Sequence, residues 1–135
     1  MGKTTFLYSS CIGMAGILII DDADEDLKRA REILSQAGYR INGIAKDGES
    51  GLQQYFERSP ELVIIDLILP GMNGIDLLQK MREANPSARI ILCTSAGQSP
   101  VIDLAMRSGA NGYVVKPYDP EILLSAVRRI LGSPG

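Results

Sequence analysis

The chain has 135 residues, 45% of them hydrophobic, and a formal net charge of −2. This length suits one domain with a substantial core, and the weak negative charge gives no electrostatic basis for direct nucleic-acid binding. The absence of histidine excludes histidine-based acid–base catalysis, Ser-His-Asp and Cys-His nucleophile systems, and histidine-ligated zinc. Cys11 and Cys93 lack CxxC or metal-ligand spacing, so we expect no disulfide framework and a reducing, cytoplasmic location.

The N-terminal segment, residues 1–15, is predicted to be a loosely ordered extension. Residues 4–20 carry no charge, which weakly resembles a signal peptide or a membrane anchor. Glycine, serine, threonine and cysteine dilute this stretch, and its most apolar part, residues 16–20, is needed as a strand. We therefore expect no membrane association and assign the folded domain to residues 16–132.

Strand and helix patterns alternate through the rest of the chain. Short apolar runs rich in β-branched residues predict buried strands, and apolar residues at helical spacing predict a helix after each strand. In chain order the elements are a strand at residues 16–20, a helix at 25–37, a strand at 40–45, a helix at 49–57, a strand at 62–65, a helix marked by Ile75, Leu78 and Met81, a strand at 89–93, a helix at 100–108, a strand at 112–115, and a helix marked by the apolar residues from Ile122 to Ile130.

This alternation predicts an α/β fold in which a parallel sheet carries helices on both faces. No GxGxxG follows the first strand, which disfavours a dinucleotide-binding fold. The length suits a five-stranded, doubly wound, flavodoxin-like sheet with strand order 2-1-3-4-5. In that order strands one, three, four and five lie side by side. Their carboxyl ends carry the polar residues Asp21, Asp22, Asp66, Thr94 and Lys116.

These five side chains form the candidate site, because the strand order collects them at one edge of the sheet. Clustered carboxylates repel one another unless some are protonated or a cation is bound. Oxygen ligands without cysteine or histidine favour a hard cation, and Mg²⁺ fits best. Lys116 can pair with a carboxylate or a phosphoryl group, the Thr94 hydroxyl can donate to a phosphoryl oxygen, and a carboxylate can be the nucleophile in phosphoryl transfer.

Each of these residues also has a simpler interpretation when it is taken alone. Asp66 and the pair Asp21 and Asp22 can cap the turn or helix that follows. Thr94 can be an ordinary turn residue, and Lys116 can merely end a strand. Their joint placement at four neighbouring strand ends favours a site.

The segments that carry these residues resemble response-regulator receiver domains of two-component signalling, in particular the single-domain chemotaxis regulators. The matching segments are IIDD at residues 19–22, IDLILPGMNGID at 65–76, ILCTSAG at 91–97 and GANGYVVKPY at 109–118. The resemblance extends from residue 16 to about residue 131, and all five hallmark positions are present in order.

The resemblance implies an acceptor and a metal site. Asp66 would accept a phosphoryl group from a phosphohistidine, supplied by a sensor histidine kinase or a phosphotransfer protein. Asp22 would bind Mg²⁺ directly and Asp21 through water, with Asp66 and the backbone carbonyl of Ile68 as further ligands. The chain would be a phospho-acceptor that catalyses its own phosphorylation and dephosphorylation, and not an enzyme for an external substrate.

The resemblance also implies a switch. Lys116 would contact the phosphoryl group, Thr94 would move towards it, and the aromatic ring of Tyr113 would change rotamer in response. The peptide bond between Lys116 and Pro117 would be cis, which X-Pro energetics permit.

We expect the output to come from a partner protein or from oligomerisation, because the sequence ends shortly after the fifth helix. The surface expected to respond comprises the fourth helix, the fifth strand and the fifth helix, around Met106, Tyr113 and Arg128. We expect Cys93 to be a buried core residue and not a redox sensor.

Three alternatives compete with this interpretation. The chain can be a fragment of a longer regulator with an output domain, or a binding module that works without phosphorylation. A Mg²⁺-dependent phosphatase is disfavoured, because Ile68 stands where such enzymes need a second acid, and because the chain has no room for a cap insertion.

Overall fold

The structure is a computed structural model that describes residues 16–95 and 97–134. The predicted N-terminal extension, residues 1–15, lies outside these residues. Strands and helices alternate in the described part, in this order: β1 (Ile17–Ile20), α1 (Asp24–Gln36), β2 (Ile41–Ala45), α2 (Gly48–Arg58), β3 (Leu62–Asp66), α3 (Gly74–Ala84), β4 (Ile90–Thr94), α4 (Ser99–Arg107), β5 (Gly112–Val115) and α5 (Pro120–Leu131).

The strands form one parallel sheet in the order β2-β1-β3-β4-β5, which confirms the predicted fold. Where the sequence predicted both ends of an element, the observed ends lie at most one residue away. The register aligns the carboxyl ends of the strands, since Ile20 lies opposite Ile65, Asp66 opposite Cys93, and Thr94 opposite Val115. Side chains that follow these positions therefore meet at one edge.

The core lies on both faces of the sheet, because successive strand residues point to opposite faces. Ile17 and Ile19 of β1 pack with residues of α1 and α5, whereas Leu18 and Ile20 pack with residues of α2, α3 and α4. Burial on both faces accounts for the continuous apolar runs in the central strands. Cys93 is fully buried in this core, as predicted. Within the described residues, no helix has the length and apolar content that a membrane span requires.

Side chains from α2 cover the edge strand β2. Nε2 of Gln54 donates to the Ile44 carbonyl at 2.7 Å, and Nη1 of Arg58 donates to the Asn42 carbonyl at 3.0 Å. Gly43 lies between these carbonyls, and a Cβ atom there would approach Oε1 of Gln54 to 2.7 Å. The absence of a side chain at Gly43 lets α2 lie close enough to make both hydrogen bonds.

Candidate functional site

The structure gathers the predicted site residues at the carboxyl edge of the sheet. Asp21 and Asp22 follow β1, Asp66 ends β3, Thr94 ends β4, and Lys116 follows β5. A cavity of about 430 Å³ opens there, and four of the five line it, while Asp21 is buried at 1% exposure. The strand order alone thus brings together groups that are far apart in the sequence.

Three carboxylates in this site lie close enough to share a cation. Asp21, Asp22 and Asp66 each offer one oxygen, and these oxygens all lie within 4.8 Å of one another. An octahedral Mg²⁺ ion keeps its ligand oxygens about 3 to 4 Å apart, so the three side chains are already near that spacing. Ile68 lies in the loop that lines the same cavity, with 74% of the residue exposed. The donor set, oxygen without sulfur or imidazole, fits a hard divalent cation.

Asp21 is held by two hydrogen bonds, one to each carboxylate oxygen. The backbone N–H of Ala23 donates to Oδ1 at 3.0 Å, and Nζ of Lys116 donates to Oδ2 at 2.7 Å. The Lys116 and Asp21 side chains are only 8% and 2% exposed. Their ion pair is therefore shielded from solvent, and the position of Lys116 depends on its carboxylate partners.

The Lys116 ammonium is surrounded by three carboxylates. Its Nζ lies 2.7 Å from an oxygen of Asp21, 2.7 Å from one of Asp26 and 3.4 Å from one of Asp66. Burial lowers the pKa of Lys116, but the hydrogen bonds that its ammonium donates to Asp21 and Asp26 outweigh this effect, so the pKa is raised above its usual value. The amine is therefore fully charged at neutral pH. It also lies 5.9 Å from the centroid of the Tyr118 ring, within the range of a cation–π contact.

The surroundings of Asp66 make its carboxyl group a weaker acid. Burial and the negative charge of Asp21 raise the pKa of Asp66 from 3.8 to about 6, against the opposing effect of Lys116. Its side chain is 13% exposed, so it still reaches the cavity. A bound cation would favour the ionised form of this group. The Asp66 carboxyl is therefore protonated more easily than an ordinary aspartate, and a bound cation would oppose that protonation.

The loop between β3 and α3 fixes the backbone next to Asp66. The Gly74 N–H donates to the Leu67 carbonyl at 2.7 Å. A Cβ atom at Gly74 would lie 2.5 Å from the Asp66 carbonyl oxygen, so only glycine allows this approach. Asn73 caps α3, since its Oδ1 accepts from the Asp76 N–H at 2.9 Å. The start of α3 therefore holds the end of β3 in place.

The predicted switch residues lie on neighbouring strands. Thr94 is buried at the end of β4, and Tyr113 on β5 lies opposite Leu92 and is 40% exposed. The peptide bond between Lys116 and Pro117 is cis, as the resemblance implied. Tyr113 belongs to a set of exposed large apolar residues on α4, β5 and α5: Leu104, Met106, Tyr113, Val115 and Ile122.

Behind the site, Cys93 and Tyr118 form a buried pair. Burial raises the pKa of the Cys93 thiol to about 12, although a hydrogen bond with the Tyr118 hydroxyl opposes this. Burial is also the main reason that the pKa of Tyr118 is raised. Both groups are therefore neutral at physiological pH, and the thiol is a poor nucleophile.

Sequence reasoning missed Asp26, which contacts Lys116 directly. Asp26 precedes Ala30 by four residues and Ile33 by seven, so it continues the buried stripe of α1 towards the helix N-terminus. The available signal was a charged residue, Asp26, within the apolar stripe of α1. This signal is weak, because acidic residues are also common in the first turn of a helix.

Comparisons with known proteins agree with this geometry. The family model described as the response regulator receiver domain matches residues 17–128. The chain is 33% identical over 114 residues to the chemotaxis protein CheY of Thermotoga maritima, across 84% of this chain and 95% of that protein. It is 34% identical over 115 residues to CheY of Bacillus subtilis, across 85% and 96%. A chain in the crystal structure of the CheX-CheY-BeF3-Mg²⁺ complex from Borrelia burgdorferi superimposes with a TM-score of 0.82 at 28% identity, across 86% of this chain and 88% of that one.

Proposed function

The chain belongs to the response regulator receiver domains, and on that premise we propose that Asp66 is its phospho-acceptor. The observation that carries this proposal is the environment of the Asp66 carboxylate. It ends the central strand β3, reaches an open cavity, and lies 3.4 Å from the Lys116 ammonium and within 4.8 Å of the carboxylates of Asp21 and Asp22. The proposed nucleophile, Asp66, therefore lies beside the Lys116 ammonium and beside two proposed Mg²⁺ ligands, Asp21 and Asp22.

Mg²⁺ is the proposed cofactor, bound directly by Asp22 and Asp66, through water by Asp21, and by the backbone carbonyl of Ile68. The spacing of the three carboxylates supports this assignment. When it is bound, the ion neutralises the charge that accumulates between the carboxylates and the phosphoryl oxygens. The protein contributes the rigid placement of these oxygens, which the bonds from Ala23 and Lys116 to Asp21 support.

The proposed reaction transfers a phosphoryl group from nitrogen to oxygen. A carboxylate oxygen of Asp66 attacks the phosphorus of a phosphohistidine, a P–O bond forms, the P–N bond breaks, and the imidazole nitrogen keeps the electron pair. The Lys116 ammonium stabilises the charge on the phosphoryl oxygens. The donor imidazole comes from a partner, a sensor histidine kinase or a phosphotransfer protein, since this chain contains no histidine. Water then hydrolyses the aspartyl phosphate, which regenerates Asp66 and releases inorganic phosphate.

The proposed output surface comprises the exposed faces of α4, β5 and α5. Thr94 would move towards the phosphoryl group and Tyr113 would respond, because their strands are adjacent. Exposed large apolar residues on all three elements support protein binding, and two of them, Tyr113 and Ile122, line one cavity there. The proposed downstream partner is a protein that binds this surface after phosphorylation has changed it.

Phosphorylation can be tested by measuring the intact-protein mass after incubation with acetyl phosphate, with Mg²⁺ or with EDTA. The wild type should gain one phosphoryl group only with Mg²⁺, and Asp66→Asn should gain none. Asp103→Asn, which removes an exposed carboxylate on α4, is the matched control and should behave as the wild type. No gain in folded wild-type protein would favour a phosphorylation-independent binding module. A gain that persists in Asp66→Asn would show that another residue is the acceptor.

The output surface can be tested by amide hydrogen exchange with and without beryllofluoride, a phosphoryl mimic, and Mg²⁺. Amides of α4, β5 and α5 should change their exchange rates, whereas those of the edge strand β2 should not. Changes limited to the residues around Asp66 would contradict the proposed surface.

A further inference from the structure

We propose that Asp26 is a positioning residue that restrains Lys116 and so opposes the phosphorylated state. This inference rests on the proposed function of Asp66. The ammonium of Lys116 has three N–H donors. Two of them are directed to Asp21 and Asp26, each at 2.7 Å, whereas Asp66 lies farther away at 3.4 Å. The resting protein therefore holds Lys116 closer to two other carboxylates than to the acceptor.

The position of Asp26 is set by α1. Asp26 lies in the first turn of this helix, next to the buried Leu27 and one turn before the buried Ala30. Its side chain is 33% exposed and lines the same cavity as Asp66. The helix packing thus fixes the carboxylate beside Lys116, while solvent still reaches it.

The charges around the cavity show what Asp26 changes. Asp21, Asp22 and Asp66 together carry three negative charges, which one ammonium and one Mg²⁺ ion would balance. Asp26 adds a fourth negative charge, so the site retains an excess negative charge before any phosphoryl group arrives. A phosphoryl group brings further negative charge, and Asp26 repels it at short range. It also competes with the phosphoryl oxygens for the Lys116 donors.

Asp26 has the opposite effect on the metal. A cation bound in the site competes with Lys116 for the carboxylate of Asp21, because the ammonium occupies Oδ2 of Asp21. Asp26 gives the ammonium a second partner that is outside the three-carboxylate group. If a cation drew the Asp21 carboxylate away from Lys116, the ammonium would still be paired with Asp26. The negative charge of Asp26 also attracts the cation directly.

These two effects predict changes of opposite sign in Asp26→Asn, which keeps the shape of the side chain and removes its charge. The affinity for Mg²⁺ alone should fall roughly threefold, as expected for one partly exposed charge. The affinity for beryllofluoride at saturating Mg²⁺ should rise about tenfold, near the lower limit for a charge-assisted hydrogen bond. If Asp26 had a merely structural role, its replacement would displace Lys116 and weaken the affinities for both Mg²⁺ and beryllofluoride.

The experiment measures Mg²⁺ binding by isothermal titration calorimetry and beryllofluoride binding by ¹⁹F NMR, on the same protein samples. Asp24→Asn is the matched control, because Asp24 lies on the same helix turn but pairs with the exposed Lys46. Both affinities of this control should stay within about twofold of the wild type. Asp26→Ser, with a smaller polar side chain, gives the same two readouts if Asp26→Asn does not fold.

Each outcome decides the inference. The inference is supported if the Asp26 variant binds Mg²⁺ more weakly and beryllofluoride more tightly than the wild type, while Asp24→Asn shows neither change. Unchanged or weaker beryllofluoride binding in the Asp26 variant overturns it and leaves the role of Asp66 intact. A wild-type protein that binds Mg²⁺ but takes up no beryllofluoride overturns the proposed function, and the inference with it.

Discussion

Replacing Asp66 by asparagine should stabilise the metal-free protein. The folded state raises the pKa of this carboxyl from 3.8 to about 6, mainly through burial and the charge of Asp21. At about 1.4 kcal/mol for each pH unit, the penalty for ionised Asp66 has a ceiling of about 3 kcal/mol. Solvent in the cavity screens part of it, so we expect Asp66→Asn to raise the free energy of unfolding by about 1 to 2 kcal/mol at pH 7.5.

The pH dependence follows from the direction of this pKa change. Below about pH 4, Asp66 is protonated in both the folded and the unfolded chain, so it contributes no difference in stability. Between about pH 4 and pH 6 the folded protein binds more protons than the unfolded one, so its stability decreases as the pH rises. Above pH 6 the penalty is complete. The difference in the free energy of unfolding between Asp66→Asn and the wild type should therefore grow between about pH 4 and pH 6 and then stay constant.

The assay is urea denaturation in EDTA at pH 4.5, 6 and 7.5, followed by circular dichroism. The asparagine side chain still offers an oxygen, and Lys116 keeps Asp21 and Asp26 as partners, so the ammonium is not left unpaired. Asp103→Asn controls for the loss of one charge. Added Mg²⁺ should stabilise the wild type more than Asp66→Asn.

Two results would refute this reasoning. Equal stability of wild type and Asp66→Asn at pH 7.5 would mean that the ionised carboxylate carries no penalty in the folded state. A difference that increases as the pH falls would mean that the pKa of Asp66 is lowered and not raised.

Three further predictions concern the surroundings of the site. Asp22→Asn should weaken Mg²⁺ binding at least tenfold, because it removes a proposed direct ligand; an unchanged affinity in calorimetry would exclude Asp22 from the metal site. Cys93 should react with iodoacetamide only after unfolding, since the thiol is fully buried and its pKa is raised to about 12; rapid labelling of Cys93 in the native protein, told apart from Cys11 by peptide mass spectrometry, would contradict this. Gly74→Ala should cost about 2 to 3 kcal/mol in urea denaturation, because the added Cβ would lie 2.5 Å from the Asp66 carbonyl oxygen. Gly112→Ala, whose Cβ would lie 3.5 Å or more from its neighbours, should cost less than half as much, and equal losses would show that crowding at Gly74 is not the cause.

The sequence was sufficient to predict the sheet and most of the site, for a physical reason. The central strands are buried on both faces, so they appear as unbroken apolar runs whose ends are easy to locate. In a parallel sheet those ends share one edge, so the order of the strands is enough to place Asp21, Asp66 and Lys116 together.

The parts that could not be predicted depend on contacts between distant side chains. The bond from Lys116 to Asp26 spans 90 residues of sequence, and no local pattern specifies it. The same holds for the pairing of Cys93 with Tyr118 and for the cover that Gln54 gives to β2. Periodicity predicts which face of an element is buried, but it does not predict which polar group a long side chain reaches.

The cover on β2 has a consequence for how this protein behaves in a crowded solution. An open sheet edge offers free carbonyls to a strand of another molecule, and this is a common start of aggregation. Gln54 and Arg58 already occupy the carbonyls of Ile44 and Asn42, so an incoming strand would have to displace both side chains. Helix α2 therefore does more than cover the core: it protects the β2 edge of the sheet against the addition of strands from neighbouring molecules.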